Sequence, residues 1–213
     1  MKRHTTLARL ALVAALVPCA FLGGCRKPMD LGQGVNGVYT NKFFGFSISH
    51  PDGWVPVTRA TMRKLGKEAA RFARKSDSEL ARMLERGDLT SYQLFMFAQY
   101  EIGTPGEFNH NIVCSIDKLT RRVDTMPKVK REIKRVLSRL RIKSTGVDGP
   151  VTVGSNTYER LGGSIRMHGV DVAQEYYIIL KKGYALTFVL SYEEGNPEYD
   201  TLKEALATVT FMN

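Results

Sequence analysis

Cysteine is scarce in this chain. Only Cys19, Cys25 and Cys114 occur among 213 residues, too few for the disulfide framework that staples many small exported domains. Long apolar runs are missing as well. The longest reaches from Leu10 to Leu22, short of the roughly 20 residues a helix needs to cross a bilayer. No phosphate-cradling glycine loop, HExxH zinc pair, EF-hand loop or GxSxG elbow appears anywhere, so the sequence carries none of the short motifs that announce phosphate, zinc, calcium or acyl-transfer chemistry.

What is present begins with Lys2, Arg3 and Arg9, a positive segment ahead of the apolar run. That order is the layout of a secretory signal, with small residues expected at its end. Leu22-Gly23-Gly24-Cys25 closes the run and resembles the bacterial lipobox. In such proteins the cysteine thiol receives a diacylglycerol and becomes the new N-terminus, so the resemblance implies palmitate-bearing lipidation at Cys25. Pro18 directly precedes Cys19 and removes it from contention. Each buried methylene contributes about 0.8 kcal/mol, and two or three acyl chains hold a protein permanently where one does not. The expected division is a signal peptide over 1–24, a lipidated flexible tether over 25–37 and one globular domain over 38–213. The expected place is the cell envelope, on a membrane and facing away from the cytoplasm. Arg26 stands where an aspartate would, which resembles lipoproteins sent on to the outer membrane if the host is Gram-negative.

Without residues 1–24, 189 residues remain, enough for one domain with a full core. The leader takes three basic residues with it and leaves 28 Lys and Arg against 21 acids, a net +7. Segment 121–143 alone holds ten basic residues and only Asp124 and Glu132, a net +8. The positive charge is therefore local. With Cys19 removed and Cys25 acylated, Cys114 is the one thiol left. Its setting, Ile112-Val113-Cys114-Ser115-Ile116, predicts a buried and inert side chain.

The apolar pattern predicts these elements. Residues 26–37 lack periodicity and read as a tether whose ends average roughly 20 Å apart. Phe44, Phe46 and Ile48 alternate with small residues as a half-buried strand, the His50-Pro51-Asp52-Gly53 turn follows, and Trp54 is expected in the core. Met62, Leu65, Ala69 and Phe72 recur at helical spacing. Ser76-Asp77-Ser78-Glu79 is a capping box that starts a second helix, stopped by Gly87. Strands are expected over 92–100 and 111–116, then a basic helix from Pro127 to Ile142 ended by Gly146. Its apolar stripe is Val129, Ile133, Val136, Leu137 and Leu140. A meander near 151–153, 157–166, 171–180 and 184–191 follows. Asn196-Pro197-Glu198 opens a last helix, and Val209-Thr210-Phe211 closes the chain. Strands that are apolar on both faces need cover on both. The expected fold is α+β, an α/β/α sandwich with a mostly antiparallel sheet of six or more strands.

Phe43-Phe44-Gly45-Phe46-Ser47-Ile48-Ser49-His50-Pro51-Asp52-Gly53-Trp54 resembles the opening of PsbP-like domains. Glu175-Tyr176-Tyr177-Ile178-Ile179-Leu180-Lys181-Lys182-Gly183-Tyr184-Ala185 resembles their late hairpin, and Val209-Thr210-Phe211 their closing strand. That family includes the extrinsic PsbP subunit of photosystem II, a Ran-binding nuclear import factor and bacterial lipoproteins of DcrB and LpqN type. The resemblance implies a non-enzymatic binding or accessory role, with no cofactor. It reaches neither the basic helix nor the segment 60–86.

Candidate chemistry is thin. His50 and Asp52 flank a Pro-Gly turn that explains them. His110 and Cys114 would touch on a helix, but on a strand four residues span roughly 13 Å. Glu193, Glu194, Glu198 and Asp200 could gather a cation. The expected function is a membrane-anchored lipoprotein with a non-catalytic binding or accessory role. The alternative is an envelope enzyme or cation-dependent protein with its site near His110 or the acidic 193–200 loop. Lys128, Lys130, Arg131, Lys134, Arg135 and Arg139 form the expected binding strip. Its partner would be anionic lipid, a cell-wall polyanion or an acidic envelope protein. Nucleic acid is not expected outside the cytoplasm, although a basic helix is otherwise suited to it.

Overall fold

The alternating runs of the sequence become strands and its 3.6-residue stripes become helices. The computed structural model describes residues 30–76, 92–105, 108–167 and 169–212. In chain order its elements are β1 (Gln33–Val35), β2 (Val38–Asn41), β3 (Phe46–Ser49), β4 (Val55–Pro56), α1 (Arg59–Ser76), β5 (Tyr92–Ala98), β6 (Asn111–Lys118), α2 (Met126–Arg139), β7 (Lys143–Val153), β8 (Asn156–Met167), β9 (Val170–Lys181), β10 (Tyr184–Glu193), α3 (Glu198–Ala207) and β11 (Thr210–Phe211). The capping box from Asp77 on, Gly87 and the lipidation candidate Cys25 lie outside the described residues.

Seven strands form one sheet in the order β4-β5-β6-β10-β9-β8-β7, and all its neighbours are antiparallel. The fold is α+β, with this sheet covered on both faces. Because side chains alternate across a strand, β10 sends Leu186, Phe188 and Leu190 into one core and Ala185 and Val189 into another. The second face is covered by α2 through Val129, Ile133 and Leu137, and by α1, whose Met62 and Leu65 lie on Met96, Ala98 and Val113. The first face is covered by Leu202 and Leu206 of α3 and by a smaller sheet, β1-β2-β3-β11. That second sheet is the main departure from the expected single one. Tyr39, Phe46 and Ile48 point into the shared core with Trp54, which is 7% exposed as expected.

Three further differences have physical causes. The expected tether over 25–37 already contains structure, because Gln33–Val35 pairs with Val38–Thr40 around the turn at Asn36-Gly37, where both residues have positive φ. The basic helix ends at Arg139, capped by Leu140, rather than running on to Ile142. Arg141 N–H donates to Ser138 and Ile142 N–H to Leu137, the paired bonds of a helix end whose next residue is left-handed, and Arg141 takes that conformation at φ 59°. Glycine is the usual occupant, so its absence hid the stop. Residues 143–150 are strand rather than loop. β7 is an edge strand, which tolerates Pro150, and a register shift between Ser144 and Asp148 absorbs Thr145, Gly146 and Val147.

Candidate functional site

The amphipathic helix α2 buries Val129, Ile133, Val136 and Leu137 and turns its cations outward. They do not stand as an unneutralised strip. Lys128 pairs with Asp124, just ahead of the helix, at 2.8 Å, and Arg135 with Glu132 within it at 2.8 Å. Lys130 reaches Glu159 of β8 at 2.7 Å and Asp148 of β7 at 2.5 Å, and Lys134 shares Asp148. Partial burial alone would lower the Lys130 pKa, but the hydrogen bonds to Asp148 and Glu159 outweigh it and raise the pKa. The same bonds, from Lys130 and Lys134, hold the Asp148 carboxyl below its ordinary value. Arg131 is exposed and Arg139 half-buried. Of the six expected strip residues, four are thus tied to acids, two of those acids brought by the sheet.

A groove remains beside the helix. It encloses about 720 Å³ between the C-terminal half of α2 and the edge strands, with Lys134, Arg141 and Lys143 at its polar lining and Leu137, Ile142 and Leu161 supplying apolar contact. Gly162 and Gly163 let the walls close: a Cβ on Gly162 would sit 2.2 Å from Thr145 Oγ1, and one on Gly163 would sit 2.6 Å from Ile142 Cγ2. Such a groove suits an anionic ligand with an apolar portion. Arg141 and Lys143 belong to the ten cations of 121–143 but not to the expected strip.

A second cluster was not legible at all. On the α3 side of the sheet, Glu175 is 8% exposed and surrounded by donors. Tyr177 Oη bonds Oε2, Tyr199 Oη lies 3.2 Å from both carboxylate oxygens, Tyr192 Oη 3.4 Å from Oε1, and Arg160 Nη1 3.8 Å from Oε2. Burial raises the pKa of all three tyrosines, so they remain protonated donors at neutral pH. This satisfies the buried carboxylate and ties β8, β9, β10 and α3 together. The adjoining groove of about 490 Å³ has Arg160 and Lys203 against Asp200 and Glu204, a balanced lining that selects neither charge. The donors come from positions 160, 177, 192 and 199, a separation with no local signal.

The remaining candidates are placed as follows. His110 is 3% exposed and packs edge-on against Phe108, with ring centroids 5.2 Å apart. It leads into β6, which carries Cys114 as a strand residue, and the Cys114 thiol is fully buried with its pKa pushed well up by that burial. His50 Nδ1 lies 2.7 Å from the Pro51 carbonyl, within the turn. In the acidic loop Glu198 accepts from Gln99 Nε2 at 2.9 Å, and its N–H donates to Asn196 Oδ1 at 3.0 Å. Among the described residues no three His, Cys, Asp or Glu side chains converge as metal ligands, and no helix is long and apolar enough to cross a membrane.

No protein-family model and no curated protein matches the chain. Solved structures do. It is similar to a Bacteroides thetaiotaomicron protein (13% identity, 79% of this chain and 46% of that one, TM-score 0.43). It is similar to cyanobacterial PsbP from Synechocystis (14% identity, 90% and 99%, TM-score 0.48). It is also similar to LpqN of Mycobacterium tuberculosis, described as involved in cell envelope biogenesis (17% identity, 79% and 83%, TM-score 0.39). A PsbP and LpqN, both types named in the sequence resemblance, are thus among the solved structures the chain is similar to. The chain spans less than half of the Bacteroides protein. At these identities and scores the likeness concerns the course of the chain and carries no residue role.

Proposed function

We propose that this protein is an envelope lipoprotein, anchored through Cys25, whose folded domain binds an anionic ligand without transforming it. The observation that carries the binding reading is the groove beside α2, where Arg141 and Lys143, with Lys134 shared with Asp148, meet an apolar lining from Leu137, Ile142 and Leu161. Cations orient a negative group there, and the apolar residues supply contact area. The lipobox-like Leu22-Gly23-Gly24-Cys25 supplies the address. Envelope polyanions with apolar parts and anionic amphiphiles share the required chemistry. Binding of a dansyl-labelled fatty acid to the purified protein tests the groove. Affinity is expected to fall several-fold in the triple variant Lys134→Gln, Arg141→Gln, Lys143→Gln, and to fall with added salt in the unaltered protein. Equal affinity of the two proteins at low salt would remove the groove from the proposal.

A further inference from the structure

The chain enters the fold at a surface of distinctive composition. Asn41, fully buried, donates from Nδ2 to the Asp30 carbonyl at 3.2 Å, and its Oδ1 accepts from Phe44 N–H at 2.9 Å. One side chain thus clamps the entry point and shapes the following turn. That turn holds Phe43 outward at 39% exposure, and Met212, whose N–H bonds the Gly45 carbonyl at 2.7 Å, is 51% exposed beside it. The β9–β10 turn joins them. Lys182 Nζ donates to the Phe43 carbonyl at 2.6 Å and stands 5.7 Å from its ring centroid, while Lys181 Nζ lies 4.0 Å over Phe211. Lys118 is paired opposite Tyr184, and Leu119 N–H bonds the Gly183 carbonyl at 2.9 Å. This brings the turn bearing Arg121 and Arg122 to the same end.

Residues 41–46, 118–123, 180–185 and 210–212 together hold six cations (Lys42, Lys118, Arg121, Arg122, Lys181 and Lys182), while of the acids at their margins Asp117 is buried, Asp124 is tied to Lys128 and Asp30 is exposed. Among the described residues none of the six is ion-paired, in contrast to the lysines of α2. Single exposed apolar side chains are ordinary. Two of them framed by six unpaired cations, where the chain leaves the fold, are not. Partial burial and the neighbouring Lys182 both lower the Lys181 pKa, as expected for crowded cations lacking an anion.

We propose that this end is a membrane-docking face, with Phe43 and Met212 entering the interfacial layer of an anionic bilayer and the six cations meeting lipid phosphates around them. Aromatic and long apolar side chains suit that layer, and basic residues are drawn to its surface. The proposal rests on the reading of Cys25 as the anchor for one thing only, distance. Cys25 precedes Asp30 by five residues, roughly 17 Å of chain at full extension, so the face cannot be far from the lipid that holds Cys25. Charge complementarity selects a lipid surface of net negative charge over a zwitterionic one.

The test uses the full chain, purified from membranes in detergent and reconstituted into vesicles of phosphatidylcholine with or without phosphatidylglycerol. A membrane-impermeant amine-acylating reagent is applied, and labelling of each lysine is followed by mass spectrometry. Lys42, Lys118 and Lys182 are expected to label several-fold more slowly on phosphatidylglycerol-containing vesicles than in detergent. Lys203, beside Tyr199 at the opposite end of β10, is expected to keep its rate. A Phe43→Ser, Met212→Ser variant should still float with the vesicles yet label at the detergent rate, with unchanged fluorescence of its single tryptophan as the check on folding. Equal labelling of the three lysines on both vesicle types and in detergent would overturn the face. Flotation with vesicles of phosphatidylcholine alone, to which the face is not expected to bind, reports the anchor separately: a Cys25→Ser chain that floats with them as well as the unaltered one would sink the anchoring reading, and the labelling still decides the face.

Discussion

Arg141 holds φ at 59°, a left-handed conformation that costs a residue with a Cβ roughly 1 kcal/mol and glycine almost nothing. It does so at the edge of the groove beside α2, where strain retained by a charged side chain is a mark of use. Arg141→Gly is therefore expected to raise stability by about 0.5–1 kcal/mol in urea unfolding while weakening anionic-ligand binding. A stability loss, or unchanged binding, would show that the arginine serves neither purpose. Glu175 makes the opposite case, a charge kept for the fold. Glu175→Ala would leave the hydroxyls of Tyr177, Tyr192 and Tyr199 and the Arg160 guanidinium without their acceptor. The expected loss is about 2–4 kcal/mol in unfolding free energy, with the groove's ligand affinity unchanged. Neither residue was legible in the sequence. Arg141 gave no glycine to mark the helix end, and the donors around Glu175 are scattered over three strands and a helix.

At the scale of elements, α2 shows why counting charge along one segment misleads. The +8 of residues 121–143 is offset in space by Asp148 and Glu159, which β7 and β8 bring to Lys130 and Lys134. Only the pairs inside the segment were open to sequence reasoning, since the sheet's contribution depends on how β7 pairs with β8. These bonds set a pH dependence. The folded pKa of Asp148 lies below its ordinary value of 3.8, so its ion pairs contribute fully above that value and are lost as pH falls through the folded one. The side chain is 35% exposed, and water screening limits the contribution. Asp148→Asn should cost about 0.5–1 kcal/mol near neutral pH. The difference should shrink with salt and close as acid protonates the folded carboxyl, below its ordinary value of 3.8. Chemical denaturation of both proteins across that range checks the sign. A gap that widens on acidification would contradict the ion-pair account.

For the molecule as a whole, the fold was legible where periodicity was strong and turn chemistry explicit. The Gly154-Ser155-Asn156 and Lys182-Gly183 turns separate runs that pair in register as β7–β8 and β9–β10. The double-faced apolar character of β9 and β10 foretold cover on both sides of the sheet, which α2 and α3 provide. The second sheet was not legible, because its four strands have only 3, 4, 4 and 2 residues, and such short segments acquire their pairing from the core they close. The site was legible as a positive region but not as a place: the groove sits at the helix's end, and the unpaired cations gather at the entrance of the chain. The proposed attachment at Cys25 bears on the second surface through its distance from lipid, and it is the central claim to test. The most direct measurement is metabolic labelling with palmitate in a bacterial host, followed by membrane fractionation of the unaltered chain and of Cys25→Ser. The account predicts label and membrane residence for the first and loss of both for the second. Palmitate retained by Cys25→Ser, or an unlabelled native chain, would contradict it.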